Sequence, residues 1–133
     1  MKRVMVDMSA TLIHHGHIRI LKAAKKYGEV IVALTTDEEI IKHKGYTPEL
    51  NFQSRKEILA SIKYVSEVVP SAWALDDYFL DYHNVDMLIH GSDNSNNVRE
   101  DRLLVFPRTK NISSSILRGR VLKAIADNYL SKA

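Results

Sequence analysis

Residues 2–35 read KRVMVDMSATLIHHGHIRILKAAKKYGEVIVALT, and the hydrophobic period changes twice along them. Lys2–Met8 is a short, weakly alternating apolar run, which predicts a strand ending in the polar turn Ser9–Thr11. From Gly16 the apolar residues Ile18, Leu21, Ala24 and Tyr27 recur at helical spacing, while Arg19, Lys22, Lys25 and Lys26 take the opposite face. Gly28 is expected to end that helix. Glu29–Thr35 is almost wholly apolar and rich in β-branched side chains, as suits a parallel strand covered on both faces. Strand, helix and strand in this order predict a right-handed crossover in a parallel sheet.

The remaining chain extends the alternation. Asp37–Leu50 is charged and ends in Tyr46-Thr47-Pro48, which predicts a partly mobile connection. Asn51 caps a helix over Phe52–Ile62 with Arg55 in its first turns. Val65–Val69 predicts a third strand closed by Pro70, Ala74–His83 a helix, Val85–His90 a fourth strand, Leu103–Phe106 a fifth, and Ser113–Leu130 a long terminal helix. The class is therefore α/β: a Rossmann-like, doubly wound sheet of about five parallel strands, in a single domain over residues 1–133. Ligands of such sheets bind at the carboxyl ends of the strands, near the switch point.

Composition bounds the function. At 133 residues the chain can bury a core without staples, and with 45% hydrophobic and 26% charged residues it has the make-up of a folded globular domain. Cysteine is absent, which excludes disulfides, thiolate nucleophiles and cysteine zinc sites. No apolar run approaches a membrane span and the N-terminus lacks a signal-peptide pattern, so a cytoplasmic protein without membrane insertion is expected. A net charge of +3 suits a small anionic ligand. No basic stripe interleaved with aromatics is present, which argues against nucleic acid.

The chemistry gathers after the first strand. His14 and His17 flank Gly16 at the start of a helix, so both imidazoles can lean toward one ligand beyond the helix tip, where Gly16 offers no side chain to block it. Unpaired first-turn amides and the positive end of the helix dipole favour a phosphate there, and imidazole N–H groups add directed donors. Metal ligation is the competing reading. It wants three or four ligands, and neither cysteine nor a well-placed carboxylate accompanies the imidazoles. His15 points differently from its neighbours and reads as a surface or capping residue. A second phosphate-type tip follows the fifth strand at Pro107–Ser115, where Arg108 and the serine hydroxyls converge on the opening of the last helix. A polyphosphate can bridge two such tips. Arg55, Lys42 and Lys44 add positive charge on the middle segment, and a lysine-bearing loop can fold over a triphosphate and exclude water. Neither a P-loop nor a G-x-G-x-x-G fingerprint is present.

With these motifs in hand, the chain resembles the HxGH nucleotidyltransferase superfamily and, within it, the small cytidylyltransferases of the glycerol-3-phosphate type. His14-His15-Gly16-His17 stands for HxGH, Lys63–Pro70 (KYVSEVVP) is similar to RYVDEVIP, Gly91-Ser92-Asp93-Asn94 to GDDW, and Arg108–Ser115 (RTKNISSS) to RTxGISTT. The resemblance implies transfer of CMP from CTP to a small phosphorylated or phosphonylated acceptor, with release of pyrophosphate and no covalent intermediate. By the same resemblance His14, His17, Arg108 and Lys44 are the catalytic group. The nucleotide would lie against Met8, Ser9, Ala10, Gly16, Gly91, Asp93, Thr109, Ile112, Ser113 and Ser114, with Arg55, Lys42 and Lys44 on phosphates or acceptor. It also implies a homodimer with Lys63–Pro70 near the interface.

Three departures bear on these expectations. Met8-Ser9-Ala10-Thr11 stands where the family has GTFD, so a hydroxyl replaces a carboxylate and magnesium is expected to ride on the CTP phosphates rather than on protein ligands. Asn94 replaces the tryptophan of GDDW, which removes a stacking surface. Asn111 replaces the glycine of RTxGIS, and asparagine tolerates the positive φ the turn needs. The MSAxxIHHGH form of the first motif is similar to a subgroup tied to phosphonate and unusual phospho-acceptors, which makes surface-polysaccharide or lipid precursors comparable products. An adenylyltransferase of the same fold and a non-catalytic nucleotide-binding module are the competing functions.

Overall fold

The computed structural model of the protein describes residues 2–91 and 96–131. Five strands, β1 (Arg3–Met8), β2 (Glu29–Thr35), β3 (Glu67–Ser71), β4 (Met87–His90) and β5 (Leu103–Val105), form one sheet in the order β3-β2-β1-β4-β5. All four pairings are parallel. The helices are α1 (His15–Lys25), α2 (Asp37–Lys44), α3 (Phe52–Ala60), α4 (Asp77–Tyr82) and α5 (Ser114–Ser131).

Strand alternation divides the core in two. Val4 and Val6 of β1 join Val30, Val32 and Leu34 of β2 on one face, where Leu21 and Ala24 of α1 and Leu59 of α3 cover them. Met5, Ile31 and Ala33 point to the other face and meet Leu80 of α4 with Leu75 and Val85. Both sets are buried, so the near-continuous apolar runs of β1 and β2 reflect a sheet covered on both sides. Each fully buried Leu or Val contributes about 1.5–3 kcal/mol relative to exposure.

Three local expectations are corrected. Of Asp37–Leu50, expected as a partly mobile connection, Asp37–Lys44 is a helix: Thr36 caps it through Oγ1 accepting the Glu39 amide at 3.4 Å, and Gly45 ends it in the left-handed conformation at φ 77°. Pro70 lies inside β3, paired with Leu34, rather than closing the strand. β3 is an edge strand, where a missing N–H is tolerated. Helix α1 stops at Lys25 with Lys26 as its cap, so Gly28 serves a different purpose. A Cβ at Gly28 would lie 2.3 Å from the Lys2 carbonyl, and only glycine lets β2 enter so close beside β1.

Candidate active site

The chain builds β1, β2 and β3 in one direction and β4 and β5 in the other, so strand order reverses between β1 and β4. Loops leaving the carboxyl ends of those two strands diverge and open a crevice. It is a cavity of about 750 Å³. The end of β1 contributes Met8, the loop after it Ser9 and Ala10, the tip of α1 His14, Gly16 and His17, and the residue following β4 Gly91. From the segment entering α5 come Arg108, Thr109, Ile112, Ser113 and Ser114, and from the end of α2 comes Lys44.

The two helix tips adjoin. A Cβ added at Gly16 would lie 3.4 Å from Ile112 Cγ2, and it would collide with the His14 ring at 2.8 Å. Glycine leaves room here for the folded-back imidazole as well as for a ligand. Ser114 ties the tips together: its hydroxyl donates to the Leu12 carbonyl at 2.9 Å and accepts the Leu12 amide at 3.2 Å. Ser113 caps α5, its Oγ accepting the Ile116 amide at 3.0 Å. Asn111 makes the preceding turn at φ 63°, as a glycine would. Across the crevice Arg108 packs over Gly91, its Nε 3.2 Å from where a Cβ would stand.

The histidines form a reciprocal cap. His14 Nδ1 accepts the Gly16 amide at 3.0 Å, and the His14 amide donates to His17 Nδ1 at 3.1 Å. Since each Nδ1 is an acceptor, each neutral ring carries its proton on Nε2, and both present that N–H as a donor. Burial, with His14, Arg108 and Lys44 alongside, lowers the His17 pKa to about 3. Burial and then His15 lower that of His14. Both imidazoles are therefore neutral donors at pH 7, set among fixed cations.

Other expected residues are placed differently. Arg55 is fully buried and does not line the cavity. Its guanidinium donates to the carbonyls of Leu50 at 3.0 Å, Ser9 at 2.7 Å and Thr35 at 2.9 Å, and to Asp37 Oδ1 at 2.6 Å. The strand-end loops leave carbonyls inside the protein, and this one side chain satisfies them. Arg55 thus shapes the loop after β1 rather than touching a phosphate. Lys42 is exposed on α2 and stands outside the cavity. Asp93 lies outside the described residues. Thr11 is buried, its hydroxyl accepting from Arg118 Nη2 at 3.2 Å.

Sequence reasoning missed Asp7 and His90. They end β1 and β4, line the cavity, and pair through Asp7 Oδ1 and His90 Nδ1, while Asn96 Nδ2 donates to Asp7 Oδ2 at 3.0 Å. Asp7 is the one carboxylate among the described residues that line the cavity. Trp73 also lines it, with His43 stacked on its ring at 4.9 Å. Among the described residues, no group of three or more His, Cys, Asp or Glu is arranged to hold a metal ion.

Residues 9–120 match the family described as Cytidylyltransferase-like. The chain belongs to that family. It is 36% identical over 142 residues to the ethanolamine-phosphate cytidylyltransferase of Mus musculus, an alignment covering 98% of this chain and 35% of the relative, so the chain spans about a third of that protein. The glycerol-3-phosphate cytidylyltransferase of Staphylococcus aureus (strain NCTC 8325 / PS 47) is 38% identical over 96 residues, covering 70% of this chain and 71% of the relative. Among solved structures, the lipopolysaccharide core biosynthesis protein from Thermoplasma volcanium GSS1 superposes with a TM-score of 0.64 at 22% identity, covering 84% of this chain and 99% of that one. That likeness confirms the fold of this cytidylyltransferase-like chain. No helix among the described residues is long and apolar enough to cross a membrane.

Proposed function

We propose that the chain transfers CMP from CTP to a small acceptor bearing a phosphate or phosphonate and an amine. The observation that carries this reading is the joining of two electropositive helix tips, His14–Gly16–His17 and Arg108–Ser114, around one cavity at the switch point. The acceptor's phosphoryl oxygen attacks the α-phosphorus of CTP, the bond from that phosphorus to the bridging oxygen breaks, and pyrophosphate leaves with the electron pair. A phosphate monoester is already ionised at neutral pH, so no general base is needed. The demand on the protein is stabilisation of charge on the equatorial and leaving oxygens. Neutral imidazole Nε2–H donors with Lys44 and Arg108 behind them supply it without reorganisation.

No group of three or more His, Cys, Asp or Glu among the described residues forms a cage for magnesium. Asp7, the one lining carboxylate among the described residues, already serves His90 and Asn96. Magnesium would be held mainly by the triphosphate itself and would supply neutralisation of its charge, entering this reading as a companion of the nucleotide. The amine in this reading follows from the acceptor named for the ethanolamine-phosphate relative.

Pyrophosphate release is measured with each of the four nucleoside triphosphates against ethanolamine phosphate, 2-aminoethylphosphonate and glycerol 3-phosphate. CTP with an amine-bearing acceptor is the expected pair, and His17→Ala should lower kcat by roughly 10²-fold. Preference for ATP would assign the chain to adenylyl transfer. Binding of CTP without turnover of any acceptor would leave a nucleotide-binding module.

A further inference from the structure

Lys44 is the last residue of α2, immediately before the connection to α3, and the far end of that connection is gripped by α5. Arg118 holds the Glu49 carboxylate in a fork, Nε on Oε2 and Nη2 on Oε1 at 2.7 Å. The same guanidinium lies 4.5 Å over the Tyr46 ring and donates to Thr11 Oγ1 at 3.2 Å. One side chain on the last helix therefore touches the loop after β1 and two residues of the connection. The fork is the dominant cause of the low pKa of the Glu49 carboxyl. Thr11 is a neutral partner, so it does not compete with Glu49 for the charge.

At the near end, Lys44 Nζ lies 5.7 Å from the Trp73 ring centroid, and His43 stacks on that ring with 12° between the planes. Gly45 follows at φ 77° with nothing within 4 Å of where a Cβ would stand. Gly45 to Pro48 are thus a short strap between a lysine at the cavity and a carboxylate fixed on α5. An unanchored strap would leave the long Lys44 stem free to swing from the phosphate end of the cavity.

We infer that Arg118 is a positioning residue, which clamps the strap through Glu49, Tyr46 and Thr11 and thereby keeps Lys44 against the cavity. The inference rests on the proposed reaction for its effect on rate, but the clamp has a readout of its own. Trp73 is the single tryptophan of the chain, so its fluorescence reports the near end of the strap directly.

Acrylamide quenching of Trp73 is measured in the free protein for wild type, Arg118→Met, Glu49→Gln and the exchanged pair Arg118→Glu/Glu49→Arg. Circular dichroism confirms that each variant is folded. Quenching should rise in both single variants and return toward wild type in the exchanged pair. With CTP and acceptor, Arg118→Met should lose roughly 10- to 100-fold in kcat/KM, as for displacement of a positioned group. Added to Lys44→Met it should cost nothing further, since the two act as one unit. Unchanged quenching in Arg118→Met and Glu49→Gln would overturn the clamp, as would multiplying rate losses of Arg118→Met and Lys44→Met. Glu49→Gln alone carries the quenching test if Arg118→Met does not fold. Altered quenching in a protein that turns over no acceptor would leave the clamp standing and sink the proposed reaction instead.

Discussion

Replacing Arg55 by methionine separates two roles that an arginine near a phosphate site can have. The side chain is fully buried and serves three main-chain carbonyls and the Asp37 carboxylate. Methionine fills most of the volume and satisfies none of them. Removing one partner of a buried ion pair costs about 3–5 kcal/mol. Asp37 is 31% exposed and can rehydrate, which pulls its own share toward the low end. The orphaned carbonyls cost about 1–3 kcal/mol each where water cannot reach them. With the Thr35 carbonyl the one bond that is fully buried, about 3 kcal/mol for the ion pair and about 1–3 kcal/mol for that carbonyl give about 4–6 kcal/mol, a large part of the roughly 5–15 kcal/mol that holds a domain together. For a chain of this size the expected fall in Tm is roughly 10–20 °C. Thermal melts followed by circular dichroism give the number, and KM for CTP is measured well below the melt. Arg55→Lys keeps the charge without the planar fork and should recover only part of the loss. A melt within about 2 °C of wild type together with a raised KM would refute the reasoning, and would return Arg55 to the ligand side of the site.

Protonation of His17 opposes folding. Its folded pKa of about 3 lies below the unfolded value near 6.5, so the unfolded chain binds the proton first, and stability falls as pH drops through that window. The slope is at most ~1.4 kcal/mol per pH unit; urea midpoints between pH 4 and 7 should show it and His17→Asn should flatten it. A His17 ring resonance titrating near pH 6.5 would contradict this. Gly16→Ala places a Cβ 2.8 Å from His14 Cε1 and forces the ring off its cap, with an expected loss of about 1 kcal/mol in thermal melts and a larger proportional loss of turnover. Ser114→Ala removes both hydrogen bonds to Leu12 and should cost about 1–3 kcal/mol by urea titration while weakening CTP binding; unaltered binding would show that the tips stay together without it.

The alternation of strands and helices was legible because β1 and β2 are covered on both faces and α1 carries an apolar stripe, so the period itself names each element. Helix α2 escaped that test. Only Ile40 of its residues is buried, and eight residues give too little stripe to see. Its signal lay at the ends instead: a Thr36 cap, acids at Asp37–Glu39, bases at Lys42–Lys44 and a glycine beyond. At the site, the two helix tips were visible because their motifs are contiguous. Asp7 and His90 were not, since they are 83 residues apart and meet only because β1 pairs with β4. Arg55 misled for a related reason: nothing in FQSRKEILA marks which charge faces inward, and only the packing of α3 under the ends of β1 and β2 decides it.

Two like poles set side by side repel, and the tips of α1 and α5 do so with Arg108 and Lys44 in support. Any polyanion that lodges between them offsets that repulsion, so the laden molecule should outlast the bare one on heating. For the proposed reaction, that holds for the departing diphosphate as well as for the arriving nucleotide. A grip firm enough to draw charge away from the breaking bond is slow to let the fragment go, and throughput then depends on how fast the by-product is cleared from solution.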